Sequence, residues 1–169
     1  MDKNQNKNRI RNITLNGLML AVIVALQAVN LPNLLTGMIV NSILVFVSVF
    51  SGIKSAVLLC FLSPFCGFLT GHVPVLMYPV LPMIVIGNII LVLLLFKLRE
   101  KAMITRLLIP ALTKAVIIGA GGFILVNVFL PDKIGNFLLF SVLGIQFFTA
   151  VPGIFLGLKL AEKCKKFVN

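Results

Sequence analysis

Six apolar runs, each close to the length a helix needs to cross a bilayer, make up most of this chain, and its cations mark the boundaries between them in a strict alternation. A helix requires about 20 residues to span about 30 Å of hydrocarbon, and the runs fall near residues 13–30, 34–51, 54–70, 79–97, 104–130 and 137–160. Thirteen of the fifteen Lys and Arg residues sit at every second boundary: Lys3, Lys7, Arg9 and Arg11, then Lys54, then Lys97, Arg99, Lys101 and Arg106, and finally Lys159, Lys163, Lys165 and Lys166. Cations collect on the cytoplasmic side of membrane proteins. The pattern therefore predicts an all-α polytopic membrane protein with six transmembrane helices and both termini cytoplasmic. A basic cytoplasmic tail (1–12), a six-helix domain (13–161) and a second basic tail (162–169) follow from the same reading.

Composition excludes the main alternatives. At 60% hydrophobic and 11% charged residues, the chain lacks the polar surface to dissolve as a globule, and the bilayer is its expected solvent. The net charge of +11 lies at the ends of apolar runs beside lipid headgroups, not on one face with aromatic partners, so no nucleic-acid partner is expected. The first run follows a basic tail but has no convincing signal-peptidase site, and five more runs follow; it reads as a retained span. Cys60, Cys66 and Cys164 form no Cys-x-x-Cys pair and cannot complete a zinc site with the lone His72, so no metal is expected and the cysteines read as packing residues.

Breakers fall mostly at boundaries. Pro32 and Pro74 lie in outer loops, Pro79 and Pro82 open the fourth run, and Pro131 closes the fifth. Pro64 and Pro152 fall inside runs, where kinks facing protein are expected.

Two cations break the alternation. Lys133 is adjacent to Asp132, which offsets it, but Lys114 stands ten residues into the fifth run. An ammonium at that depth costs at least ~2.5 kcal/mol. It must either meet a ligand, a partner or water, or snorkel to the interface. No Asp or Glu falls inside any run, which removes an intramembrane salt bridge and argues against proton coupling through a buried carboxylate.

Amides inside the second to sixth runs are Asn41, Asn88, Asn127 and Gln146; each must be hydrogen-bonded, as interhelical glue or as part of a site. Gln146, Thr149, Gly153 and Gly157 share one face of the sixth helix, a surface of low bulk suited to border a cavity. In the first helix Gly17, Ala21, Ala25 and Ala28 form a stripe of small residues, which allows another helix to approach closely, within the bundle or from a partner. Asn33, His72 and Tyr78 lie in or beside the outer loops, where the 70–74 stretch is short and flexible enough to act as a cover.

The length, six runs, a basic tail leading into an Ala21-x-x-x-Ala25 helix, and Pro82-x-x-x-x-Gly87-Asn88 opening an aliphatic fourth run resemble the S components of energy-coupling factor (ECF) transporters. The resemblance implies a substrate-capturing subunit in the cell membrane, a bacterial plasma membrane, for uptake of a vitamin or related micronutrient. It implies no cofactor and no enzymatic activity of its own: two ABC ATPases would use ATP and a transmembrane coupling protein would carry the motion. The sequence agrees in having no phosphate-binding Gly-x-x-x-x-Gly-Lys-Ser/Thr loop. The family's outward-facing site maps to Lys114, Asn88, Asn127 and Gln146, with Asn33, His72 and Tyr78 as loop contacts. Its docking motif maps to Ala21 and Ala25, with Gly17 on the same stripe. The implied mechanism is toppling, in which the loaded subunit rotates in the membrane and carries its site inward.

Two other readings stay open on the residues alone. One is a structural or accessory membrane subunit without a ligand. The other is a small intramembrane enzyme pairing His72 with Cys66 or Ser63, for which no carboxylate is available to orient the histidine.

Overall fold

The computed structural model describes residues 3–73, 75–129 and 135–168. Among them all regular structure is helical: α1 (Lys3–Ala28), α2 (Asn33–Phe50), α3 (Ile53–Leu69), α4 (Leu81–Lys97), α5 (Met103–Phe129) and α6 (Gly135–Val168), with a 3-10 turn at Val75–Val80 before α4. Helices α1, α2, α5 and α6, and α4 together with the 3-10 segment before it, are long and apolar enough to cross a membrane; α3 is an apolar helix of 17 residues. The protein is thus a helical membrane protein of six helices, as the apolar runs predict.

The helix ends differ from the runs at both termini. Helix α1 starts at Lys3 and α6 continues to Val168, so both basic segments are helical extensions of the adjacent apolar runs. Hydropathy marks where a helix leaves hydrocarbon, whereas backbone hydrogen bonding continues until a breaker intervenes, and neither segment contains Gly or Pro. The boundaries inside the chain do have breakers. Asn30 closes α1 with φ 60°, and Gly52 at φ 94° lets the chain reverse between α2 and α3 in two residues, a conformation in which a Cβ is strained. Pro64, Pro110 and Pro152 all lie inside helices.

The helices alternate in direction, so the C-terminal ends of α1, α3 and α5 share one end of the bundle with the N-terminal ends of α2, α4 and α6. Contacts fix the register. A Cβ on Gly37 would meet Thr149, one on Gly153 would meet Asn41 at 2.6 Å, and one on Gly157 would meet Val45 at 2.8 Å. Positions in α2 and α6 therefore rise together, and the two helices run parallel. Helices α4 and α5 run antiparallel, with Gly87 against Ile118 and Gly121 against Met83. Gly153 and Gly157 do not border a cavity, as their shared face with Gln146 implied. They bring the α6 backbone onto α2, with a Cβ at Gly157 falling 2.5 Å from the Ser42 carbonyl oxygen.

Two unlike halves result. The main apolar core (Leu44, Val45, Val47, Leu59, Leu91, Leu95, Ile154 and Leu158 among others) fills the half that ends in Lys54, Lys97 and Lys159. The opposite half contains a smaller cluster of Val80, Ile118 and Val126 and is hollow. Helix α1 is peripheral: it packs on α3 and α2 through Ile23 and Gln27, leaving Gly17, Ala21, Ala25 and Ala28 exposed. Its small-residue stripe therefore faces away from the bundle.

Candidate binding cavity

The hollow half encloses a cavity of about 180 Å³, bordered by every helix of the bundle. Helix α1 contributes Gln27, α2 contributes Asn33, Thr36, Gly37, Val40 and Asn41, and α3 contributes Ser63 and Pro64. The loop and 3-10 turn bring His72, Val73, Met77 and Val80; α4 brings Ile84 and Asn88, α5 Lys114, and α6 Ile145, Gln146 and Thr149. Eight polar or charged residues are buried among those described, and seven of them line this one space: Gln27, Thr36, Asn41, Ser63, Asn88, Lys114 and Thr149, with only Ser42 elsewhere. Polar groups serving as interhelical glue would be spread through the packed core; these are gathered around a void.

Lys114 is 3% exposed and its Nζ donates to Asn41 Oδ1 at 2.5 Å. The side chain thus turns into the bundle and does not snorkel. No carboxylate of the described residues lines the cavity, so among them the ammonium has a neutral acceptor and no counter-charge. Gly87 enables this placement: a Cβ there would lie 3.3 Å from Lys114 Cγ and 2.7 Å from Ile118. On the opposite wall, Gln27 Nε2 donates to the Ser63 carbonyl at 3.1 Å. Three side-chain atoms lining the cavity remain buried without a hydrogen-bond partner: Gln27 Oε1, Asn41 Nδ2 and Asn88 Oδ1.

At the rim, His72 Nδ1–H donates to Asn30 Oδ1 at 3.1 Å, tying the loop after α3 to the loop after α1. Partial burial lowers the His72 pKa below its ordinary value. Val73 closes onto Gly67 through a backbone hydrogen bond of 3.1 Å, and Gly71 gives this turn its positive φ of 71°.

Of the residues assigned to the site from sequence, Lys114, Asn88, Gln146, Asn33 and His72 border the cavity. Tyr78 lies apart from its lining and packs edge-on against Phe68, with ring centroids 4.6 Å apart. Asn127 is in α5, but its side chain lies outside the described residues, as do Pro74, Pro131, Asp132 and Lys133. Asn41 was legible as a buried amide, but its pairing with Lys114 across 73 residues was not. Gln27 carried no such signal; its position one residue before Ala28, at the polar end of a run, looks like an interface residue. No cluster of three or more His, Cys, Asp or Glu side chains that could hold a metal ion occurs among the described residues.

Comparisons with protein-family models, with curated proteins and with solved structures found no match to this chain.

Proposed function

We propose that this protein is a substrate-capturing membrane subunit of an ECF-type importer, binding a small micronutrient from outside the cell. The observation that carries the proposal is the collection of buried polar side chains, three of them with unpartnered atoms, around one cavity in the half of the bundle remote from the cations. Unpaired buried polar groups cost about 1–3 kcal/mol each, a cost that a ligand supplying the missing partners would offset. The cation-rich end belongs in the cytoplasm by the positive-inside rule, which turns the cavity toward the exterior.

The energy source belongs to partners: two ABC ATPases and a transmembrane coupling protein. The exposed face of α1 with Gly17, Ala21 and Ala25 supports a docking role for that helix, because small residues allow a partner to slide past without large side chains locking one orientation. Toppling of the loaded subunit against the coupling protein then delivers the substrate inward.

The test is purification of the tagged protein from its native membrane in mild detergent, followed by native mass spectrometry. A bound small molecule together with co-purifying ATPases and a second membrane protein is the expected result. A ligand-free protein with no such partners would leave a structural or accessory role as the better reading.

A further inference from the structure

The cavity's hydrogen-bonding complement restricts what can occupy it, and this inference rests on the small-molecule capture just proposed. Two of its amides have orientations dictated by their partners. A lysine ammonium can only donate, so the atom of Asn41 that faces Lys114 Nζ must be Oδ1, and the Asn41 NH₂ is left free. A backbone carbonyl can only accept, so the atom of Gln27 that faces the Ser63 carbonyl must be Nε2, and Gln27 Oε1 is left free. The side chains concerned are nearly solvent-free: Asn41 is 1% exposed, Lys114 3% and Gln27 5%. One region of the cavity therefore presents an ammonium beside a free amide NH₂, both donors, and Gln27 presents a free amide oxygen, an acceptor; Asn88 Oδ1 is also without a partner.

From this arrangement we infer that the ligand is a small organic monocarboxylate that also carries at least one N–H or O–H donor away from its acid group. The carboxylate accepts from Lys114 and from Asn41 Nδ2; the distal donor serves Gln27 Oε1. Charge decides the rest. Among the described residues no Asp or Glu borders the cavity, so a cationic ligand would add a second positive charge beside Lys114. A dianionic phosphate would leave one negative charge buried without a partner, which is costly in a dry interior. A single carboxylate brings the site to neutrality.

The probe is the pool of small metabolites extracted from the host cells, equilibrated with the full-length protein in lipid nanodiscs. Species retained after gel filtration are identified by native mass spectrometry with fragmentation. The expected species loses carbon dioxide on fragmentation, carries one negative charge and exchanges at least one further hydrogen in heavy water. Methyl-esterifying the extract before equilibration should lower its occupancy of the wild-type protein by about tenfold or more, the loss expected from a charge-assisted hydrogen bond. Gln27→Leu should weaken retention of the untreated species by a smaller factor. A retained amine, phosphate ester or uncharged molecule, or a species whose occupancy survives esterification, overturns the monocarboxylate inference and leaves small-molecule capture standing. A wild-type protein that retains nothing from the extract overturns both.

Discussion

The two halves of the bundle share six helices and pack in opposite ways. Toward the cation-rich end, Gly153 and Gly157 draw α6 onto α2, and Leu44, Val45, Leu59, Leu91 and Ile154 interdigitate with almost no exposure. Toward the other end α2 and α6 stay in contact, Gly37 against Thr149, but their polar residues Thr36, Asn41, Gln146 and Thr149 border a space that the other helices do not fill. In lipid there is no hydrophobic drive between helices, so association depends on close packing and interhelical hydrogen bonds. The packed half can supply that association, which lets the hollow half keep polar groups unpaired. Binding sites commonly sacrifice local stability that the rest of a fold must supply.

This division can be broken on the packed side first. Gly157→Leu places side-chain atoms where a Cβ already meets the Ser42 carbonyl at 2.5 Å; overpacking against backbone should cost about 3 kcal/mol or more. The expected outcome is loss of monodisperse protein in detergent, and a wild-type unfolding midpoint would mean that the seam can open.

On the hollow side the same measurement should separate from function. Lys114→Ala removes a buried charge that has no counter-charge among the described residues, so the ligand-free midpoint should stay level or rise. Retention of the co-purifying small molecule should meanwhile fall by about an order of magnitude or more. A fall in stability with unchanged retention would make the lysine part of the scaffold.

Helix α1 supplies an intermediate case, a small-residue stripe like that of α6 but exposed. Ala21→Leu with Ala25→Leu meets no neighbour within the bundle, so stability should stay within about 0.5 kcal/mol and ligand retention should not change. Co-purification with the proposed coupling protein should be lost; intact assembly would remove the proposed docking role.

The smallest expected effect is at the rim. His72 has its pKa lowered by partial burial, so the folded state favours the neutral ring. Its contribution is complete above the ordinary imidazole value of 6.5 and declines as pH falls below it, because the unfolded chain takes up the proton more readily. A slight drop in unfolding midpoint between pH 7.5 and 5 should be absent in His72→Gln; equal pH profiles would show that the ring is fully solvated.

Much of the architecture was legible because hydropathy and charge are local properties. A charge-free apolar run specifies a membrane helix wherever its neighbours lie, and alternating cations specify which ends share a side. Lys114 was likewise conspicuous, since a buried ammonium is anomalous in any arrangement of helices. The pairings were not legible. Gly153 and Gly157 carry the same small-residue spacing as Ala21 and Ala25, yet one pair is sealed against α2 and the other faces outward. Spacing defines a face of a helix, but only the arrangement of the other five helices decides what that face meets. Gln27 and Asn41 make the same point from the polar side: each amide has two ends, and whether the free end is a donor or an acceptor depended on a Ser63 carbonyl and a Lys114 ammonium contributed by distant segments. The sequence alone thus determined the class, the helices and the odd lysine, through energies that each residue incurs individually in lipid. The tertiary structure alone decided where the void lies and which hydrogen-bonding atoms line it, because those depend on contacts between residues far apart in the chain.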